Sequence, residues 1–325
     1  MAVVAVTDHV FPDLDQEREI LTRAGHELRF ERNAVSTEEV TAAVAGADAV
    51  LNCYAKMPSE VIRTLDRCRV IARYGIGLDT IDLDAANERG IVVTNVPDYC
   101  IDEVSDHALS LALALARGVT LLDRRVRTGS WTPTDARPLH RIRGRTFGLV
   151  GFGRIARALA VKAGALGYQV VATDPYVGDD TVRNERVEPL SFAELLERAD
   201  VVSIHVPLTD ESHHLIGSEA LAKMKPHAIL VNTSRGPLVD TAALRDALAS
   251  GHLGGAALDV LEQEPPTPDE PLLQRDDVVV TPHAGFYSEE SVGELQRKAV
   301  DQVVDALAGR RPPYAVNADV VGFGT

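Results

Sequence analysis

Short runs of β-branched and apolar residues alternate with stretches of helical period along most of the chain, and this alternation restricts the fold more than any single residue does. The first series is VVAVT (Val3 to Thr7), ELRF (Glu27 to Phe30), DAVLN (Asp48 to Asn52), VIARY (Val70 to Tyr74) and IVVTNV (Ile91 to Val96). Strands that alternate with helices imply βαβ units and a parallel sheet, because parallel neighbours need a crossover connection. A second series predicts a second parallel sheet: RTFGLVG (Arg145 to Gly151), YQVVATD (Tyr168 to Asp174), DVVSIHV (Asp200 to Val206), HAILVNT (His227 to Thr233), GAALDV (Gly255 to Val260) and DVVVTPH (Asp277 to His283). Between the two lies CIDEVSDHALSLALALARGV, whose apolar Val104, Leu109, Leu113 and Leu115 suit a long, largely buried helix. A matching helix, SEESVGELQRKAVDQVVDALAGR, follows the last strand. Beyond Pro312 and Pro313 the segment YAVNADV has strand-like content and is expected to return to the first sheet. The expected fold class is therefore α/β with two doubly wound parallel-sheet domains. One is discontinuous, residues 1–99 with 292–325, and the other spans 100–291.

Composition bounds the function. The 325 residues carry 33 Lys plus Arg against 48 Asp plus Glu, a net charge of −15, so no general attraction to nucleic acid or anionic lipid is expected. The apolar stretch Ala108 to Ala116 is interrupted by Ser110 and closed by Arg117, well short of the ~20 residues that span a bilayer. The opening MAVVAVTDHVFPDLD has no basic leader and reads as a first strand, which makes the cytoplasm the expected compartment. Cys53, Cys68 and Cys100 have neither a disulfide nor a zinc-site spacing, and no metal is expected.

Gly148-Leu149-Val150-Gly151-Phe152-Gly153-Arg154-Ile155-Ala156 closes a strand and opens a helix with the pattern G-x-G-x-x-A at Gly151, Gly153 and Ala156. The first small residue allows a tight turn, the second lets the backbone approach a pyrophosphate, and the third permits close helix-to-strand packing. The helix N-terminus, with Arg154 and Ile155 in its first turn, then faces the phosphates. The same turn also occurs for packing reasons alone, but Asp174 ends the next strand, where a carboxylate bonds a ribose 2′-hydroxyl. An acid there repels a 2′-phosphate, so NAD(H) is expected ahead of NADP(H), with Arg183 and Arg186 close enough in sequence to soften the preference.

Four segments in order then resemble the D-isomer-specific 2-hydroxyacid dehydrogenase family: RYGIGLDTIDLDAANERGIVVTNVP (Arg73 to Pro97), GLVGFGRIARALA (Gly148 to Ala160), VNTSRGPLVD (Val231 to Asp240) and LDVLEQEPP with VVVTPHAGFYSEES (Leu258 to Ser291). The last, with VPDYCIDEVSDHALSL, is most similar to the C-terminal-binding-protein-like branch. The resemblance implies a flavodoxin-like substrate domain with an inserted Rossmann dinucleotide-binding domain. It also implies a homodimer through the nucleotide-binding domains, with Gly118 to Gly144, including Trp131, as a clasping arm.

The resemblance places Arg235 of NTSRG, Glu264 of EQEPP and His283 of TPHAG at the family's catalytic positions. Hydride transfer at C2 of a hydroxy acid needs a base for the hydroxyl proton, and imidazole titrates near working pH. His283 is that group; Glu264 would orient its far ring nitrogen, and Arg235 would hold the substrate carboxylate with a planar fork. Such residues are ordinarily solvated surface groups, yet all three lie just past strand ends, where doubly wound sheets place their sites. By the same resemblance His205, Pro207, Thr233 and Asp259 line the nicotinamide and ribose, although Asp259 equally well finishes a strand. Arg73, Tyr74 and Gly75 open a loop whose backbone N–H groups close on a substrate carboxylate.

Two departures from the family pattern stand out. Val104 occupies a position where many relatives have a phosphate-donating hydroxyl, and Phe286 stands where the branch can carry tryptophan. The expected activity is interconversion of a 2-oxo acid and a D-2-hydroxy acid with NAD(H). Alternatives on the same fold are reduction of an imine formed from a 2-oxo acid, oxidation of an oxyanion such as phosphite, and a non-catalytic NAD(H)-sensing corepressor-like role.

Overall fold

The computed structural model describes residues 1–322. They form two compact units, Met1–Cys100 together with the segment from Ser288 onward, and Ile101–Tyr287. The second division falls earlier than the expected 291/292 because Ser288 caps the final long helix and therefore goes with it.

The first unit runs β1 (Val3–Val6), α1 (Asp15–Arg23), β2 (Glu27–Arg29), α2 (Thr37–Val44), β3 (Ala49–Asn52), α3 (Ser59–Ile62), β4 (Val70–Arg73), α4 (Leu83–Glu88) and β5 (Val92–Thr94). The five strands are parallel in the order β2-β1-β3-β4-β5, which is the flavodoxin-like winding. Every residue of β3, β4 and β5 is buried, as expected of strands covered on both faces, and this is why they read as unbroken apolar runs.

The second unit begins with α5 (Ile101–Ala116) and α6 (Val119–Arg127). It continues through β6 (Thr146–Val150), α7 (Arg154–Ala165), β7 (Gln169–Thr173), α8 (Asp179–Asn184), β8 (Glu188–Pro189) and α9 (Phe192–Arg198). It ends with β9 (Val201–Ile204), α10 (Ser218–Lys223), β10 (Ile229–Asn232), α11 (Thr241–Ala249), β11 (Gly255–Leu258) and β12 (Val278–Val280). Its sheet is parallel in the order β12-β11-β10-β9-β6-β7-β8. The chain winds outward from β6 through β7 to β8, then restarts at β9 and winds the other way, so the strand order reverses between β6 and β9. Ligands of open α/β sheets bind at such a reversal. Apolar side chains fill both faces of the sheet: Leu230 of β10 joins one cluster with Leu195 and Leu244, and its neighbour Val231 joins the other with Phe147 and Leu159.

The chain then returns to the first unit through α12 (Glu289–Leu307), which packs on α1, β3 and β4, and α13 (Ala318–Val321). The strand expected in YAVNADV is replaced by a single antiparallel bridge, Ala315 to Thr94, followed by α13. The Asn317 side chain accepts the Val93 N–H at 2.7 Å and donates to Ile91 O at 3.0 Å, so a side chain takes over the bonds a strand would have made. Among the described residues no helix is long and apolar enough to cross a membrane, and no cluster of metal-ligating side chains occurs.

Candidate active site in the second unit

The glycine turn after β6 is built as its pattern requires. Gly151 has φ +92°, and a Cβ there would lie 2.7 Å from the carbonyl oxygen of His205, just past β9. Only glycine permits this approach at the strand-order reversal. Gly153, at φ −75°, is the N-cap of α7 with no side-chain cap, and a Cβ added to it meets nothing within 4 Å. The first N–H groups of a twelve-residue helix therefore open beside unfilled space, with exposed Arg154 and half-buried Ile155 in that turn. Asp174 follows β7; its Oδ2 accepts the Phe152 N–H and its Oδ1 the Tyr176 N–H, each at 2.8 Å, so the carboxylate is held against the turn. At the exit of β10, the buried Thr233 hydroxyl has no hydrogen-bond partner. An open helix N-terminus, an anchored carboxylate and an orphaned hydroxyl together fit a dinucleotide.

His205 and Pro207 follow β9. The His205 ring contacts Ser203 Oγ at 2.8 Å through Nε2, and burial pushes its pKa down to about 4, so the ring stays neutral at physiological pH. Val104 on α5 is buried and offers no donor, and the Ser105 hydroxyl beside it donates to Asp102 O and accepts from Lys162.

Three predicted residues follow successive strands. Arg235 is half-buried after β10: Asn232 Nδ2 donates to Arg235 O at 2.7 Å, and Arg235 Nη1 donates to Ser234 O at 2.7 Å. Glu264 lies in the turn after β11 and His283 in the loop after β12, and the structure brings them together, Glu264 Oε2 to His283 Nδ1 at 2.8 Å. The other Glu264 oxygen accepts the Leu261 N–H at 2.9 Å, which orients the carboxylate. A carboxylate on one imidazole nitrogen sets the tautomer so that the other can exchange a proton.

His283 has φ +53°, a left-handed conformation that a non-glycine residue holds only when its surroundings require it. Asp259 supplies the requirement. Its backbone oxygen accepts the His283 N–H, its Oδ1 the Ala284 N–H, and its Oδ2 the Gly285 N–H, all at 2.8 Å. Thr281 Oγ1 donates to Asp259 Oδ1 at 2.6 Å, and His107 Nε2 on α5 lies 2.9 Å from Thr281 Oγ1. Burial raises the Asp259 pKa, but these hydrogen bonds outweigh it and hold the carboxyl below its usual range. Asp259, expected as a cofactor ligand or a strand end, does follow directly on β11, and it also organises the loop that carries His283. Neither His107 nor Thr281 stands out in the sequence; the one available signal is a histidine on a largely apolar helix.

In the first unit, the loop after β4 departs from expectation at Tyr74. Its side chain is buried, the hydroxyl donates to Glu17 Oε1 at 2.9 Å, and the ring meets Phe11 edge-on. The Tyr74 N–H donates to Asn52 O and the Gly75 N–H to Arg73 O, so an anion cradle here has to be formed by the N–H groups of Ile76 and Gly77. Arg73 is 6% exposed, folds over Gly75 to reach Tyr74 O at 2.9 Å, and has a buried Nε with no partner. Phe286, in the second unit, is half-buried with its ring 6.4 Å from that of Tyr287.

A Rossmann-wound unit with an open glycine turn and a carboxylate-backed histidine defines the class of dinucleotide-dependent oxidoreductases. Residues 109–285 match the family model of the D-isomer specific 2-hydroxyacid dehydrogenase NAD binding domain. The chain is 42% identical over 267 residues to a glyoxylate reductase of Korarchaeum cryptofilum, covering 81% of this chain and 80% of the relative. It is 42% identical over 282 residues to a D-3-phosphoglycerate dehydrogenase of Mycobacterium leprae, covering 86% of this chain but 53% of that protein, so it spans about half the length of this second relative. Its structure is similar to that of a D-lactate dehydrogenase of Aquifex aeolicus complexed with NAD and lactic acid, with TM-score 0.85, 27% identity, and coverage of 94% of this chain and 96% of the other. The chain belongs to the D-isomer-specific 2-hydroxyacid dehydrogenase family, and it is an NAD-dependent oxidoreductase of that class.

Proposed function

We propose that this protein interconverts a 2-oxo acid and the corresponding D-2-hydroxy acid in the cytoplasm, with His283, Glu264 and Arg235 as its catalytic residues. The observation that carries the reading is the 2.8 Å contact between Glu264 Oε2 and His283 Nδ1. With Nδ1 engaged, His283 Nε2 gives a proton to the carbonyl oxygen in reduction and takes it back in oxidation, while Glu264 stabilises the imidazolium. Arg235 holds the substrate carboxylate and polarises the carbonyl. In the first unit, Arg73 and the N–H groups of Ile76 and Gly77 after Gly75 form a cradle for a substrate carboxylate, and in the second unit Phe286 shapes the pocket.

When bound, NAD(H) supplies or accepts the hydride. Gly151, Gly153, Arg154 and Ile155 would hold its pyrophosphate, Asp174 its ribose, and His205, Pro207 and Thr233 its nicotinamide end. Asp174 favours NADH over NADPH, and Arg183, close enough in sequence to soften that preference, is paired with Asp179 at 3.0 Å and Asp180 at 3.5 Å. A homodimer through the second unit is supported by α6, which has no buried residue.

The test follows loss of NADH absorbance with glyoxylate, hydroxypyruvate, pyruvate, phenylpyruvate and bulkier 2-oxo acids, each with and without ammonium. Turnover without ammonium is expected. Turnover only with ammonium would replace the hydroxy-acid reading with imine reduction, and NADH binding without any turnover would point to a sensor.

A further inference from the structure

We infer that His214 and Glu262 form a clamp that positions Glu264 against His283, an inference that rests on the proposed role of that pair. The turn after β11 that carries Glu264 is exposed, yet it is fixed on several sides. Glu264 Oε1 accepts the Leu261 N–H at 2.9 Å, so whatever places Leu261 also places the Glu264 carboxylate. Beneath the turn, a Cβ on Gly236 would lie 2.0 Å from both the carbonyl carbon and oxygen of Leu261; the backbone rests directly on the residue after Arg235.

The remaining hold comes from Glu262. Its Oε1 meets His214 Nε2 at 2.6 Å, and its Oε2 accepts the N–H of Thr241, the first residue of α11, at 2.8 Å. One carboxylate thus ties the turn to the loop before α10 and to the start of α11. His214 is itself held in place: its N–H donates to Pro237 O at 2.8 Å, its ring stacks on His213 at 4.0 Å, and its φ is +53°. The side chains of His214 and Glu262 are 36% and 31% exposed, and a polar contact so accessible adds little to stability. Its consequence is geometric, because displacing a catalytic group by about 1 Å costs far more in rate than such a pair contributes to folding.

The test compares Glu262→Ala, Glu262→Gln and His214→Asn in the full chain. Asn tolerates the left-handed backbone but cannot reach Glu262, and Gln keeps an acceptor for Thr241 and an amide for His214. Glu262→Ala and His214→Asn are expected to lower kcat about tenfold with KM for NADH unchanged, and to alter the pH profile of kcat/KM, while Glu262→Gln restores most of the rate. In a Glu264→Gln background, Glu262→Ala should add no further loss, because both act through one carboxylate.

A second readout does not depend on turnover. The hydrogen-bonded Nδ1 proton resonance of His283, assigned by its disappearance in His283→Asn, should be lost in Glu262→Ala and retained in Glu262→Gln. Wild-type kcat and an unchanged resonance in Glu262→Ala, or fully multiplicative losses with Glu264→Gln, would overturn the clamp. If the wild type reduces no 2-oxo acid while the resonance still responds to Glu262→Ala, the functional reading fails and the clamp stands.

Discussion

His283 combines an acid/base side chain with a backbone that L residues avoid, and the two can be separated experimentally. A non-glycine residue at φ +53° carries on the order of 1–3 kcal/mol of strain, which the N–H bonds to Asp259 offset. Replacement by Asn tolerates that backbone but removes the proton donor. His283→Asn should therefore lower kcat by about 100- to 10,000-fold while NADH affinity, read by fluorescence titration, stays at the wild-type value. Retained turnover would remove His283 from the mechanism. Arg235, Glu264 and His283 stand out in the sequence through the family resemblance, with their places just past strand runs as support, and the structure brings Glu264 and His283 together. Tyr74 was not legible in this way, since sequence places it after β4 without showing that its side chain turns inward to Glu17. The link from His107 to Thr281 was also hidden, because 174 residues separate the partners and neither segment carries a local sign of the contact.

At the scale of elements, the turn from β6 to α7 sets two glycines two residues apart with different expected tasks: Gly151 serves the fold and Gly153 the proposed ligand. Gly151→Ala places a methyl 2.7 Å from His205 O at φ +92°, so strain and a backbone clash coincide. That variant is expected to lose on the order of 2 kcal/mol or more of stability, measured by urea denaturation. Gly153→Ala meets no atom within 4 Å, and its cost as a weaker N-cap is about 1 kcal/mol at most. Its methyl stands where a pyrophosphate would approach, so NADH affinity should fall at least tenfold with little change in the unfolding midpoint. Equal losses of stability in the two variants would contradict this division. The strands themselves were legible because parallel strands covered on both faces are continuous apolar runs. The two-residue β8 lies below the length at which a run can be seen, and the tail misled because Asn317 satisfies backbone groups that a strand would otherwise pair.

For the whole molecule, the segment from α6 through Trp131 is hard to account for in a lone chain. No residue of α6 is buried, and Val119, Val126 and Trp131 are 57%, 47% and 86% exposed. Arg124 and Arg125 pair with Asp276 at 3.0 and 2.6 Å, which fixes the helix while Val119 and Val126 stay exposed. Contiguous exposed apolar residues mark interaction surfaces, and tryptophan is prominent among residues that dominate them. Around a two-fold axis the same patch is used by both copies, so a single substitution acts twice. If replacing Trp131 costs about 2 kcal/mol per copy, the dimer loses about 4 kcal/mol, roughly a thousandfold in Kd. Trp131→Glu should therefore sediment as a monomer at micromolar concentration where the wild type sediments as a dimer. A monomeric wild type would refute the dimer, and a dimeric Trp131→Glu would move the interface away from this arm. Because the substitution lies on an exposed side chain, its unfolding midpoint, extrapolated to concentrations at which both proteins are monomeric, should match that of the wild type.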